Sequence, residues 1–293
     1  MALIMRGIIG DMVHVFRRKF GDVRRRVEEM MNSRVLDVNV LEDYSRLLKF
    51  KEWIDSEVDF RYFSLENARL ILADRLNIVS GDFVLDVGSG DGWFSIQAAI
   101  KYSDAYFYGV ELSEEFAEAT EYAKIFGVRN VYFFYFDAYS LPFPSGKFDK
   151  AALFFSLANI SQDIDSLSSL FIEINRVLKR GGLVGISEPF LEDFPNNLGI
   201  ILKKLYDYCR TRGETLLSLG QVVSTLKNAD FEIIDIEKMR LKSTGRNIGE
   251  AREYLEQYYD CRIPTDMISP IKTDKIWTRD DPPQYTVIIA KKS

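Results

Sequence analysis

The chain has 293 residues, 47% of them hydrophobic and 28% charged, with a formal net charge of −6. That length and apolar content support one large α/β domain with appendages, or two modest domains, while the acidic balance argues against an extensive nucleic-acid surface, which needs clustered Lys and Arg. Two distant cysteines, Cys209 and Cys261, with no CxxC or Cys/His cluster, argue against a disulfide framework or a metal site and point to a reducing cytoplasm. The apolar start, Met1 to Phe16, is interrupted by Arg6, Asp11 and His14, is too short to span a bilayer and lacks a signal-peptide layout.

Residues 1–75 read as a helical extension. Val23, Val27, Met30 and Met31 share one helix face, with Arg24, Arg25 and Arg26 on the other. A cationic amphipathic helix of this kind can touch an anionic membrane surface; packing on its own domain with a solvated charged face is the preferred reading. His14, the only histidine, lies in this extension, and a packing or surface role is preferred for it over catalysis.

From Phe83 strands and helices alternate. Phe83–Val87 is a short apolar run ending in glycines, as a buried parallel strand should be. A helix follows from Gly92, then a strand at Ala105–Glu111, a helix capped by Ser113 and closed by Gly127, and a strand at Val131–Phe136. Phe148–Phe155 is the fourth strand; the next helix carries the stripe Leu167, Leu170, Phe171, Ile174, Val177 and Leu178 and ends at Gly181-Gly182. Leu183–Ser187 is the fifth. Residues 196–229 hold two helical patterns, and Phe231–Ile236 and Tyr285–Ala290 complete the strand set. Residues 76–240 thus form the core and 282–293 its last strand. The segment 241–281, with scattered charges and one helical stretch near 248–259, reads as an inserted cap. Right-handed crossovers then place helices on both faces of a mostly parallel sheet.

In such sheets ligands bind at the carboxyl ends of the strands. Gly88, Gly90 and Gly92 allow a tight turn and close backbone approach to a ligand. Glu111, at the second strand end about 20 residues on, suits ribose hydroxyls. Asp137, at the third, suits an adenine amino group. Together with Asp86 these acids favour a cationic nucleoside and would repel a pyrophosphate. Trp93, where a dinucleotide fingerprint needs a small residue, excludes the NAD reading.

The run Val84-Leu85-Asp86-Val87-Gly88-Ser89-Gly90-Asp91-Gly92, with Gly109-Val110-Glu111-Leu112-Ser113, Asp137-Ala138, Leu141-Pro142-Phe143, Phe148-Asp149 and Arg176–Gly182, resembles the class I S-adenosylmethionine (SAM) dependent methyltransferases. Within them it is similar to the branch of ubiquinone/menaquinone-biosynthesis and other small-molecule methyltransferases. The resemblance covers residues 75–235. It implies a Rossmann-like, doubly wound α/β sheet of seven strands with the last antiparallel, and SAM as cofactor. It also implies that Asp86, Gly88, Ser89, Gly90 and Gly92 line the methionine end, that Glu111 holds the ribose, and that Leu112, Asp137 and Ala138 meet the adenine. Two departures stand out: Asn228-Ala229-Asp230-Phe231 replaces the usual Ala-Gly-Phe turn, and Leu157-Ala158-Asn159-Ile160 lacks the histidines often found there.

Methyl transfer from a sulfonium is an in-line displacement, so alignment in a dry pocket is the main requirement. Ser156, Asn159 and Glu188, at the ends of the fourth and fifth strands, are the acceptor-side candidates; capping of the next helix is the competing role for the first two and a solvated strand-end acid for the third. Asp281-Pro282-Pro283-Gln284-Tyr285 loosely resembles a motif of amino-group methyltransferases but reads as a turn. Tyr, Phe and Leu in 36–75, 189–217 and 241–281 suit a closed pocket for a small or lipid-like acceptor, whereas Arg240, Lys242, Arg246 and Arg252 suit an anionic group. The preferred function is methyl transfer to a small molecule; the alternatives are transfer to RNA or a protein side chain, and SAM binding without catalysis.

Overall fold

The computed structural model describes residues 8–33, 39–45, 47–48, 60–161, 163–194, 203–204, 207–208, 216–240, 246–247, 256, 262, 264, 275–277 and 284–293. Its strands are β1 (Phe83–Val87), β2 (Tyr106–Glu111), β3 (Val131–Tyr135), β4 (Phe148–Phe154), β5 (Leu178–Glu188), β6 (Phe231–Arg240) and β7 (Gln284–Lys292). They form one seven-stranded sheet in the order β3-β2-β1-β4-β5-β7-β6. Pairs among β1 to β5 are parallel, and β7 runs antiparallel to both β5 and β6. This is the doubly wound sheet with a reversed last strand anticipated from the motifs. The order turns back between β1 and β4, and a crevice opens there at the strands' carboxyl ends.

Alternation along each strand divides the core. Val84 and Phe107 point to one face, where they meet α1 (Ile8–Ser33), α2 (Phe60–Arg75), α3 (Trp93–Lys101) and α4 (Glu115–Phe126). Leu85, Val87 and Val110 point to the other, packing with Phe171 and Ile174 of α6 (Ile164–Val177) and Val222 and Leu226 of α7 (Leu219–Asn228). A four-residue helix, α5 (Leu157–Ile160), separates β4 from α6. On α1 the apolar face runs Phe16, Phe20, Val23, Val27 and Met30; Phe16 and Val23 are buried in the core, and Arg24, Arg25 and Arg26 are exposed. The amphipathic helix therefore turns its apolar side onto the domain. Among the described residues no helix is long and apolar enough to cross a membrane.

Two local readings are corrected and a third is explained. Ser113 does not cap α4: the helix begins at Glu115, and the Ser113 hydroxyl only accepts a 3.4 Å bond from the Glu115 amide. Gly181-Gly182 do not end α6, which stops at Val177; they lie in a bulge where pairing with β4 jumps from Leu178 to Leu183, with Gly181 at φ +75°. Asp230, at φ +60°, adopts the left-handed conformation normally given to glycine, while the Asn175 amide donates 3.0 Å to the Ala229 carbonyl. The unusual Asn-Ala-Asp-Phe turn is thus the ordinary turn with an aspartate in the glycine's place.

Of the segment 241–281, the structure describes an antiparallel pairing of Arg246–Asn247 with Lys275–Trp277. The helical stretch near 248–259 lies almost wholly outside the described residues, as do the first helical pattern of 196–229 and Asp281-Pro282-Pro283.

Candidate active site

A cleft of about 560 Å³ opens at the crevice between β1 and β4, lined by residues from the loops after β1, β2, β3 and β4 and by α2. The loop after β1 is folded over β2: the amides of Gly88 and Ser89 both donate to the Val110 carbonyl, at 2.9 and 3.0 Å. Gly88 (φ +69°) cannot carry a side chain, because a Cβ there would stand 2.7 Å from Ser156 Cβ. Gly90 (φ +51°) faces the cleft, and its amide donates 2.9 Å to Glu111 Oε2. Gly92 differs from the expectation. It does not line the cleft; it sits at the N-terminus of α3, where a Cβ would come within 2.5 Å of the Phe133 ring and 2.7 Å of Ala119 Cβ. Its glycine serves helix-to-sheet packing.

Glu111 also accepts from the amides of Leu112 (2.8 Å) and Ser113 (3.0 Å). Three of the roughly four acceptor positions of a carboxylate are thereby used to fix its orientation, leaving one. Asp86, 1% exposed, accepts a 2.7 Å bond from the Ser95 hydroxyl. Burial pushes its carboxyl up to about 7, against the lowering effect of Ser95; nearby Glu111 raises it further and Arg69 lowers it. Glu115, in the same cleft, is also raised, by partial desolvation and then by Glu111 and Glu118. The cleft's glycine-loop end therefore gathers acids, and Arg69, in the same lining, is the cation that acts on Asp86. Ser89 Oγ lies buried there without a hydrogen-bond partner among the described residues.

At the other end Leu112 is 51% exposed, an apolar surface open to a flat ligand. Asp137 is exposed; its Oδ1 accepts from the Tyr139 amide at 2.9 Å. Ala138 is buried and lines the cleft with Phe136 and Tyr139.

On the β4 side, Ser156 and Asn159 line the cleft, but the Ser156 hydroxyl donates 2.6 Å to the Val87 carbonyl and is engaged in the scaffold. Glu188 does not face the cleft, contrary to expectation. It is 4% exposed, and its Oε2 accepts the Leu157 amide at 3.1 Å, capping α5 from beneath. The wall is built from residues the sequence reading passed over: Leu65, Arg69, Phe94, Phe154 and Phe155. Phe154 and Phe155 stack at 4.5 Å, Phe94 stacks on Phe154 at 6.2 Å, and the Arg69 guanidinium lies 5.5 Å from the Phe154 ring. Phe155 has φ +51°, a strained conformation for a bulky residue and of the kind that collects at binding sites. Arg69 could have been found: it sits in the α2 stripe Leu65, Leu72, Leu76, where a charge among apolar positions marks a buried cation.

This donor set matches SAM. The glycine cradle, the orphaned Ser89 hydroxyl and the acid cluster suit a net-cationic amino acid, and Arg69 suits its carboxylate. Residues 84–182 match the family model described as "Methyltransferase domain". An O-methyltransferase of Penicillium expansum is 29% identical over 168 residues, covering 57% of this chain and 58% of that protein. A demethylmenaquinone methyltransferase of Staphylococcus saprophyticus is 32% identical over 111 residues, covering 37% and 45%. The chain thus spans about half the length of these curated relatives. The cyclase SpnF superposes with a TM-score of 0.56 at 23% identity over 78% of this chain and 80% of that one, a likeness of fold. Sequence motifs, sheet order and cleft chemistry converge on residues 84–182, the stretch that matches a methyltransferase domain.

Proposed function

We propose that the protein transfers the methyl group of SAM to a small, partly apolar acceptor. The observation that carries this reading is one cleft lined both by the glycine loop with its acids and by the stacked rings of Phe94, Phe154 and Phe155. SAM supplies a methyl group on a sulfonium. The chain's own residues bind and align. Asp86 takes the ammonium, Arg69 and the Ser89 hydroxyl the carboxylate, Glu111 a ribose hydroxyl, and Asp137 with Leu112 the adenine. The aromatic wall then excludes water from the reacting atoms and offers a flat apolar surface to the acceptor.

Ser156 and Glu188 serve in this reading to hold α5 and the glycine loop, and Asn159 is the polar group left to contact an acceptor. A cytoplasmic location belongs to the same proposal, from the cysteine usage. Because the fold is shared with a cyclase, cofactor binding without transfer is the second reading, and one experiment separates them. The full chain is incubated with methyl-labelled SAM and fractionated extract. Label entering a small-molecule fraction is expected; label only in RNA or protein would overturn the acceptor class, and SAM binding with no transfer to any fraction would favour the second reading.

A further inference from the structure

We propose that Tyr139 is a positioning residue for the adenine end of the cofactor, a role that rests on the SAM-binding reading above. Two of its atoms act on different parts of the cleft. Its amide donates 2.9 Å to Asp137 Oδ1, and its hydroxyl donates 2.7 Å to the Ile160 carbonyl. Residue 139 itself lines the cleft beside Asp137, Ala138, Asn159 and Ile160.

The first bond acts on Asp137. This carboxylate is exposed, so by itself it would rotate among several orientations. With Oδ1 held by the Tyr139 amide, Oδ2 is left to accept from an exocyclic amine, and the loop is closed further by the Ser140 amide donating 3.1 Å to the Asp137 carbonyl. The ordering cost is met before the ligand arrives.

The second bond acts on α5. Four residues make too short a helix to persist alone, and α5 is held from outside at both ends: Glu188 accepts the Leu157 amide at the start, and Tyr139 donates to the Ile160 carbonyl at the finish. Between these anchors Ser156 and Ile160 press on the glycine loop. The space beside Gly88 that a Cβ would take is bounded by Ser156 Cβ at 2.7 Å and Ile160 Cδ1 at 2.9 Å. Tyr139 therefore joins three ligand-facing segments contributed by different strands: the Asp137 loop, α5 and the glycine loop. Releasing its hydroxyl frees the end of α5, whose Asn159 and Ile160 line the cleft with Asp137 and Ala138, and loosens that wall.

The test uses the full chain and three probes: SAM, S-adenosylhomocysteine, and 5′-methylthioadenosine, which keeps the nucleoside and lacks the amino acid. Tyr139→Phe deletes one oxygen and keeps the ring and the amide; circular dichroism and the ligand-free Tm monitor the fold. The expected result is about two- to twelvefold weaker binding of all three probes, the worth of one ordered hydrogen bond, seen chiefly as faster dissociation. Arg69→Met, acting at the amino-acid end, should weaken SAM and S-adenosylhomocysteine and spare methylthioadenosine. Wild-type affinity of Tyr139→Phe for methylthioadenosine would overturn the proposal, whatever happens with the other two ligands. Failure of the wild-type protein to bind any probe would instead overturn the SAM reading, so the two failures are distinct.

Discussion

Asp86 and Ser95 sit nine positions apart, on β1 and α3, and the Ser95 hydroxyl donates to the buried Asp86 carboxyl. With its carboxyl raised to about 7 by burial, Asp86 binds a proton in the folded protein between its ordinary unfolded value and about pH 7, where the unfolded chain has already released it. Its contribution to stability therefore falls as pH rises through that window. An arriving ammonium reverses the preference and draws the proton off. SAM binding at pH 6 should release a proton, detectable by calorimetry in buffers of different ionisation enthalpy, and affinity should rise by up to about tenfold per unit as pH climbs toward 7. Asp86→Asn should remove the linked proton and raise ligand-free stability at pH 8 while weakening SAM binding.

The glycines differ in a way that only their surroundings reveal. Both Gly90 and Gly92 have positive φ, but a Cβ on Gly90 meets only the flexible end of Glu115 at 3.2 Å, whereas on Gly92 it meets Phe133 and Ala119. Gly92→Ala should cost more than the roughly 1–2 kcal/mol of left-handed strain alone. Gly90→Ala should lose stability near that figure and SAM affinity in addition. Urea unfolding and calorimetry on both variants check the contrast.

Among the elements, the connection from β3 to β4 has no helix and owes its shape to α6. The Arg176 guanidinium donates to the carbonyls of Phe143 (2.8 Å) and Leu141 (2.9 Å), while Glu173 accepts from Arg176 through both oxygens and from the Leu141 amide at 2.7 Å. Two motifs separated by more than thirty residues, Leu-Pro-Phe and Arg-Val-Leu, are therefore halves of one clamp. The hydrogen bond from Arg176 holds Glu173 below its ordinary value, helped by the Leu141 amide against burial. Its stabilisation is present above the unfolded carboxyl's pKa and is lost as pH falls through the lower, folded value. Arg176→Met should cost about 1–3 kcal/mol by stranding two carbonyls and a carboxylate. Glu173→Gln should flatten the acid limb of the stability curve below pH 4.5, and thermal scans across pH 3–6 would show no flattening if the clamp is inert.

For the whole molecule, cofactor and stability are linked by mass action. SAM at about 100 times its Kd should add about 2.7 kcal/mol, with Glu111→Ala and Asp137→Ala reducing the shift in thermal melts. An unshifted wild-type melt at millimolar SAM would contradict the assignment.

The sheet and the placing of Glu111, Leu112, Asp137 and Ala138 along the cleft were legible in the sequence because their signals are local. A buried strand reads as an apolar run, a tight strand-to-helix turn needs glycine, and Glu111 ends its strand while Asp137 follows its own by two residues. Tertiary structure alone decided the rest. Arg69 reaches the cleft because α2 packs across β4 and β5, with Leu72 and Leu76 against Gly185. Glu188 turns under α5 instead of into the cleft, Gly92 serves packing instead of ligand contact, and Tyr139 finds its partner 21 positions away. Strand and turn preferences act over a few residues, so a sequence displays them; a side chain's direction at a strand end is set by whichever distant element packs there, and that is fixed only when the chain closes on itself.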